Sequence, residues 1–97
     1  MAVSDADIAF ATDLFSDLGK VTSRKMFGGL GLYIDGTIFA LVSSAGRIYV
    51  KTTPDLAASL ADEGAEQFHN MPYWSLPESA LDDPETACDW ARRFLTS

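Results

Sequence analysis

The sequence predicts an α+β domain in which helices pack on one antiparallel β-sheet, in the order α-β-β-β-β-α-β-α. Three observations carry that prediction. Apolar residues repeat at helical spacing in three separate stretches. Between the first two of these the period drops to two, as in strands. Within that region Asp35-Gly36 separates two alternating runs, the strongest short signal for a hairpin. At 97 residues, 47% of them apolar, the chain can build one core and has no length for a second, so residues 1–97 are expected to form a single domain.

Ser4 is placed to cap the first helix, and Asp5 and Asp7 suit its positive end. Ile8, Ala11, Leu14, Phe15 and Leu18 share one face, and Gly19 closes the run. Residues 21–27 read as a strand, with Gly28-Gly29 making a bulge or corner into the next. There Leu30, Leu32 and Ile34 alternate with Gly31, Tyr33 and Asp35. A type I′ turn at Asp35-Gly36 would place Ile34 opposite Thr37, Leu32 opposite Phe39 and Leu30 opposite Leu41. The reverse face would pair Tyr33 with Ile38 and Gly31 with Ala40, leaving a shallow spot beside Tyr33. This register aims Leu32, Phe39 and Leu41 at Phe15, Leu60 and Trp90.

The strand from Thr37 to Val42 leads through Ser44-Ala45-Gly46 to another from Arg47 to Lys51. Thr53-Pro54 opens the second helix, a capping hydroxyl followed by proline, which buries Leu56 and Leu60 and stops at Gly64. An extended piece near Glu66 to Met71 is expected to return to the sheet. The stretch MPYWSLPESALDDPE, residues 71–85, then reads as a rigid aromatic turn. Its Tyr73 and Trp74 either plug the end of the core or present a partner-binding surface. Asp83-Pro84-Glu85 starts the last helix, with the stripe Ala87, Trp90, Ala91, Phe94 and Leu95.

Several functions are disfavoured by composition. The glycines of SRKMFGGLGLYIDG lead into a strand, whereas a phosphate-binding loop leads into a helix N-terminus, and neither the Walker pattern nor GxGxxG is present. His69 is the only histidine and Cys88 the only cysteine, and Cys88 falls beside a buried helical stripe. No ligand spacing for a metal is seen. Glu78, Asp82, Asp83 and Glu85 gather at a helix N-terminus, where negative charge is favourable without any catalytic role. No enzyme, cofactor or metal is therefore expected. A lone cysteine fits a reducing compartment, no apolar run is long enough for a membrane span and no signal peptide is seen, so a cytoplasmic location is expected.

The net charge is −7, but it is segregated. Lys20, Arg24, Lys25, Arg47 and Lys51 stand against Asp35 alone between positions 20 and 51, a local balance of +4. The rest of the chain carries two arginines against thirteen acids. Five bases, split between two strand faces and surrounded by acids, are too few for tight DNA binding, which draws on many phosphate contacts.

RKMFGGLGLYIDG, followed by IFALV, IYVK and MPYWSLPESALDDPE with WA in the last helix, resembles the N-terminal domain of the TfoX (Sxy) proteins, from about Val21 to Phe94. The resemblance implies a sheet-and-helix fold similar to the secretion-chaperone-like class. It also implies a link to bacterial competence and DNA transformation, where full-length members act as transcriptional co-activators beside a DNA-bound regulator. Those members carry a second, helical C-terminal domain, whereas this sequence ends at Ser97. The leading expectation is a regulatory protein-interaction module whose partner is the transcription machinery or a DNA-bound regulator. The alternative is a small-ligand or anion-binding domain using Arg24, Lys25, Arg47 and Lys51 around Tyr33. Tyr73 and Trp74 join these as candidate contacts. A homodimer covering a free strand edge is a further expectation.

Overall fold

A tight turn at Asp35-Gly36 sets the centre of the sheet. Both residues take positive φ, 51° and 80°, as a type I′ turn demands. The computed structural model describes residues 3–26 and 28–96. Its sheet is an antiparallel meander with strands in sequence order: β1 (Val21–Met26), β2 (Gly29–Ile34), β3 (Thr37–Val42), β4 (Ile48–Lys51) and β5 (Tyr73–Ser75). Position 27, expected to continue β1, lies outside the described residues.

The helices are capped where the sequence indicates. In α1 (Asp5–Leu14) the Ser4 hydroxyl accepts from the Asp7 amide at 3.1 Å, and the Ser4 amide donates to the Asp7 carboxylate at 3.4 Å. The helix ends earlier than its apolar spacing suggests, and a 3₁₀ turn at Ser16–Leu18 carries the chain to Gly19. Thr53 caps α2 (Pro54–Asp62), and Asp83 caps α4 (Pro84–Leu95). A short helix α3 (Glu78–Leu81), not anticipated from the sequence, precedes α4.

The hairpin register departs from the ideal one after two pairs. Ile34 faces Thr37 and Tyr33 faces Ile38, but Leu32 then faces Ala40, Gly31 faces Leu41 and Leu30 faces Val42. One extra residue of β3 is accommodated opposite Leu32 as a β-bulge. Phe39 and Ala40 both reach the helix side, where Phe39 meets the edge of Phe15 with ring centroids 5.1 Å apart and planes at 84°. The inserted residue inverts the alternation beyond it. Leu41, expected in the main core, therefore lies on the opposite face with Tyr49 and Tyr73. The remaining expected core residues, Phe15, Leu32, Phe39, Leu60 and Trp90, do cluster together.

The return strand also differs from expectation. Tyr73–Ser75, read as an aromatic turn, is itself β5 and pairs with β4. Glu66–Phe68 folds back along the outer side of β5, with a bridge between Gln67 and Trp74 and a hydrogen bond of 2.8 Å from the Phe68 amide to the Tyr73 carbonyl. That fold-back shields one border of the sheet. No such cover is formed on β1, whose outer edge pairs with no strand among the described residues.

The bulge makes a quantitative prediction. Phe39 is fully buried, so Phe39→Ala should cost about 3–5 kcal/mol, a large share of the stability of a domain this size. Urea unfolding followed by circular dichroism should show the midpoint fall accordingly. An unchanged midpoint would show that Phe39 does not hold the helices to the sheet.

Candidate functional site

Helices α1, α2 and α4 contribute to a single core cluster with one face of the sheet. The opposite face has no helix upon it among the described residues. Strand alternation, shifted by the bulge, gives that face Arg24 and Met26 from β1, Gly31 and Tyr33 from β2, Ile38 and Leu41 from β3, and Tyr49 from β4. Part of it is covered by the segment 66–72, which packs Phe68 on Tyr49 with ring centroids 4.8 Å apart. Between that segment and β1–β3 a hollow of about 560 Å³ remains. Met26, Ile38, Leu41, Phe68, Met71 and Tyr73 form its apolar walls, and Ser43, Ser44 and His69 lie among its polar lining.

Two glycines of β2 allow close approach of their neighbours. A Cβ at Gly31 would sit 3.2 Å from Met26 Cε, Tyr33 Cε1 and Ile38 Cδ1. The expected spot beside Tyr33 is thus occupied by three side-chain ends, and the larger space is displaced toward Gly29 and Leu41. At Gly29 a Cβ would collide with the Val42 carbonyl oxygen, so close strand approach itself requires glycine there.

The candidate contacts suggested by the sequence fall in four places. Arg24 and Lys25 are exposed on β1, opposite Gly31 and Leu30 respectively, and so point to different sides of the sheet. Arg47 is engaged: its guanidinium donates to Glu66 at 3.0 Å and to the Ser75 hydroxyl at 3.3 Å, and lies 5.7 Å from the Tyr49 ring centroid. Glu66 raises its pKa above the ordinary arginine value, chiefly by that hydrogen bond. The Lys51 ammonium lies 5.4 Å from the ring centroid of Phe94 on α4. Tyr33 is half-buried on the helix-free face, Tyr73 is buried against Leu41 and Tyr49, and Trp74 is half-buried against the main core. The four bases do not converge on one point. Lys20, Arg24 and Lys25 make no ion pair among the described residues; Lys20 precedes the edge strand, and Arg24 and Lys25 lie on it with opposite orientation.

Cys88 and His69 lie in different environments. The Cys88 thiol is fully buried and donates to the Leu14 carbonyl at 3.6 Å, and burial pushes its pKa up, away from a reactive thiolate. His69 is exposed beside Phe68, with its backbone at a positive φ of 54°. No group of three or more metal-ligating side chains is assembled among the described residues. Nor is any helix among them long and apolar enough to cross a membrane. The hollow escaped the sequence reading because its walls depend on the bulge. The available signal was the pair Gly29 and Gly31 inside a strand, a mark of close approach by neighbouring atoms.

Comparison with known proteins supplies a family. The chain matches the family described as "TfoX N-terminal domain" over residues 13–96. It is also similar to "DNA transformation protein TfoX1" of Aliivibrio fischeri, with 37% identity over 54 residues. That similarity covers 56% of this chain and 25% of the relative, so the chain spans only a minor part of that protein.

Tyr73 provides a test of the site's interior. Burial first, and the neighbouring Tyr33 second, raise its pKa above the ordinary tyrosine value of 10.0. As pH rises through that value the unfolded chain ionises first, so stability present at lower pH is lost. Tyr73→Phe should lose less stability than the native chain between about pH 9 and about pH 11, read from urea midpoints. Equal losses in both proteins would place the Tyr73 hydroxyl in open solvent.

Proposed function

The chain belongs to the TfoX N-terminal domain family, and from that premise we propose that it is a non-enzymatic regulatory module that docks a protein partner in the control of DNA transformation. The name of the similar protein, a DNA transformation protein, supports the process. The observation that carries the mode of action is the free edge of β1. Six residues of extended backbone, Val21–Met26, offer their outer hydrogen-bonding groups to a partner strand. Arg24 and Lys25 on that strand, with Lys20 just before it, hold the only run of unpaired positive charge among the described residues of an acidic molecule. Such an edge suits an extended acidic segment, whose backbone completes the sheet while its carboxylates meet the bases.

The partner in this reading is a component of the transcription machinery or a DNA-bound regulator, reached as a protein. Direct DNA binding is disfavoured on magnitude. Five bases make no ion pair among the described residues, Lys51 and Arg93 included, and they fall short of the roughly six to ten phosphate contacts of a strong binder, while the chain carries 14 acids against 7 bases. The homodimer expected from a free edge would use the same strand and would compete with the partner.

Three measurements test the proposal. Immobilised domain should capture a transcription component from the source cell, and the double variant Arg24→Glu, Lys25→Glu should lose it by roughly tenfold or more. Sedimentation equilibrium on both proteins shows whether self-association accounts for the difference. In a gel-shift titration at physiological salt, random duplex should remain unbound at micromolar protein. Micromolar binding that weakens in Arg24→Ala, Lys25→Ala would replace the proposal with direct nucleic-acid recognition.

A further inference from the structure

The hollow on the helix-free face is separate from the β1 edge in its chemistry. Its walls carry no fixed charge, since Met26, Ile38, Leu41, Phe68, Met71 and Tyr73 are all neutral and His69 is the only ionisable imidazole among its lining residues. At about 560 Å³ it falls within the range of small-molecule sites, roughly 300–1,000 Å³.

A second observation points to a ligand. Tyr73 lines the hollow, and its hydroxyl makes no hydrogen bond to any described protein group yet is not sealed from solvent, since no buried side-chain polar atom among the described residues lacks a partner. The neutral phenol is thus an accessible donor on an otherwise apolar wall. At the rim, His69 holds a backbone conformation uncommon for a non-glycine residue. Met26, Met71 and Phe68 add flexible and aromatic surface that can adapt to a ring.

We propose that the hollow is a binding site for an uncharged, mostly apolar small molecule carrying a carbonyl-type acceptor, which the Tyr73 hydroxyl recognises by donating a hydrogen bond. Apolar walls remove the body of such a molecule from water, and the absence of a lining charge disfavours anions and cations alike. Proton transfer and bond making play no part. This site does not depend on the docking role of β1, which uses charged residues on an edge.

The probe for this site is 6-propionyl-2-(dimethylamino)naphthalene, a neutral fluorescent ketone whose emission moves to shorter wavelength in apolar surroundings and to longer wavelength when its carbonyl accepts a hydrogen bond. Saturable binding with a blue shift relative to water is expected. Tyr73→Phe should weaken binding about 3- to 10-fold and shift the bound emission further to the blue, because only the hydroxyl is lost. Met71→Asp places a charge at a position 36% exposed on the wall and should weaken binding at least about tenfold with little effect on folding. Phe10→Ser removes an equally apolar but distant side chain, 49% exposed on α1, and should leave binding unchanged. Thermal melts of each variant confirm that the compared proteins are folded. Non-saturable binding, equal binding by Met71→Asp, or loss in Phe10→Ser would overturn the site. Unchanged emission and affinity in Tyr73→Phe would overturn the role of the hydroxyl. Loss of partner capture in the β1 variant with probe binding intact, or the reverse, separates failure of this site from failure of the docking reading.

Discussion

The placement of Phe39 governs the arrangement of this domain. Its ring is drawn to the helix side by contact with Phe15, and the strand admits one extra residue to deliver it there. Because side chains in a strand alternate strictly, a single insertion inverts every position beyond it. Leu30, Leu32, Ala40 and Val42 then belong to the helix-packed core, and Leu41 is turned to the other side. Without that inversion the helix-free face would lose its central leucine, and Tyr49 and Tyr73 would have no apolar floor between them. The core and the hollow are two consequences of one packing constraint.

The two faces differ because only one has helices to cover it. On that side, burial of the stripes of α1, α2 and α4 removes most of the apolar surface of both layers from water. On the other, a non-helical segment, 66–72, does part of the same task. It is anchored by hydrogen bonds from Phe68 to Tyr73 and between Glu66 and Ser75, with Arg47 bridging Glu66 and Ser75. The Arg47–Glu66 pair is solvent-exposed and contributes little energy by itself. Its effect is positional, since it fixes the start of the segment that walls the hollow.

Charge segregation acquires a structural meaning from the strand order. Of the basic group, Arg47 immediately precedes β4, an inner strand, and Lys51 ends it; Arg47 meets Glu66 and Lys51 approaches Phe94. Lys20, Arg24 and Lys25 fall at the sheet's free edge, where no acid pairs with them among the described residues. Charged side chains on an edge strand also discourage indiscriminate strand pairing. An edge of this kind selects by charge, favouring acidic segments and opposing basic ones.

Local chemistry in the sequence determined the helix starts, the hairpin turn and the order of elements. Ser4, Thr53 and Asp83 satisfy amides only a few residues away, and Asp35-Gly36 adopts positive φ from its own residue types, so these features need no distant contact. The apolar spacing of Ala87, Trp90 and Ala91 likewise marked the face that α4 buries. Long-range packing decided the rest. The contact between Phe15 and Phe39 lies outside any local window, and it goes with the bulge that turns Leu41 to the other face. Tyr73 and Trp74 are a strand rather than a turn because β4 offers a pairing edge, not because of their intrinsic preference. The hollow was illegible for the same reason: its walls come from β1, β3, β5 and the segment before β5, which meet only when the sheet and its bulge are formed.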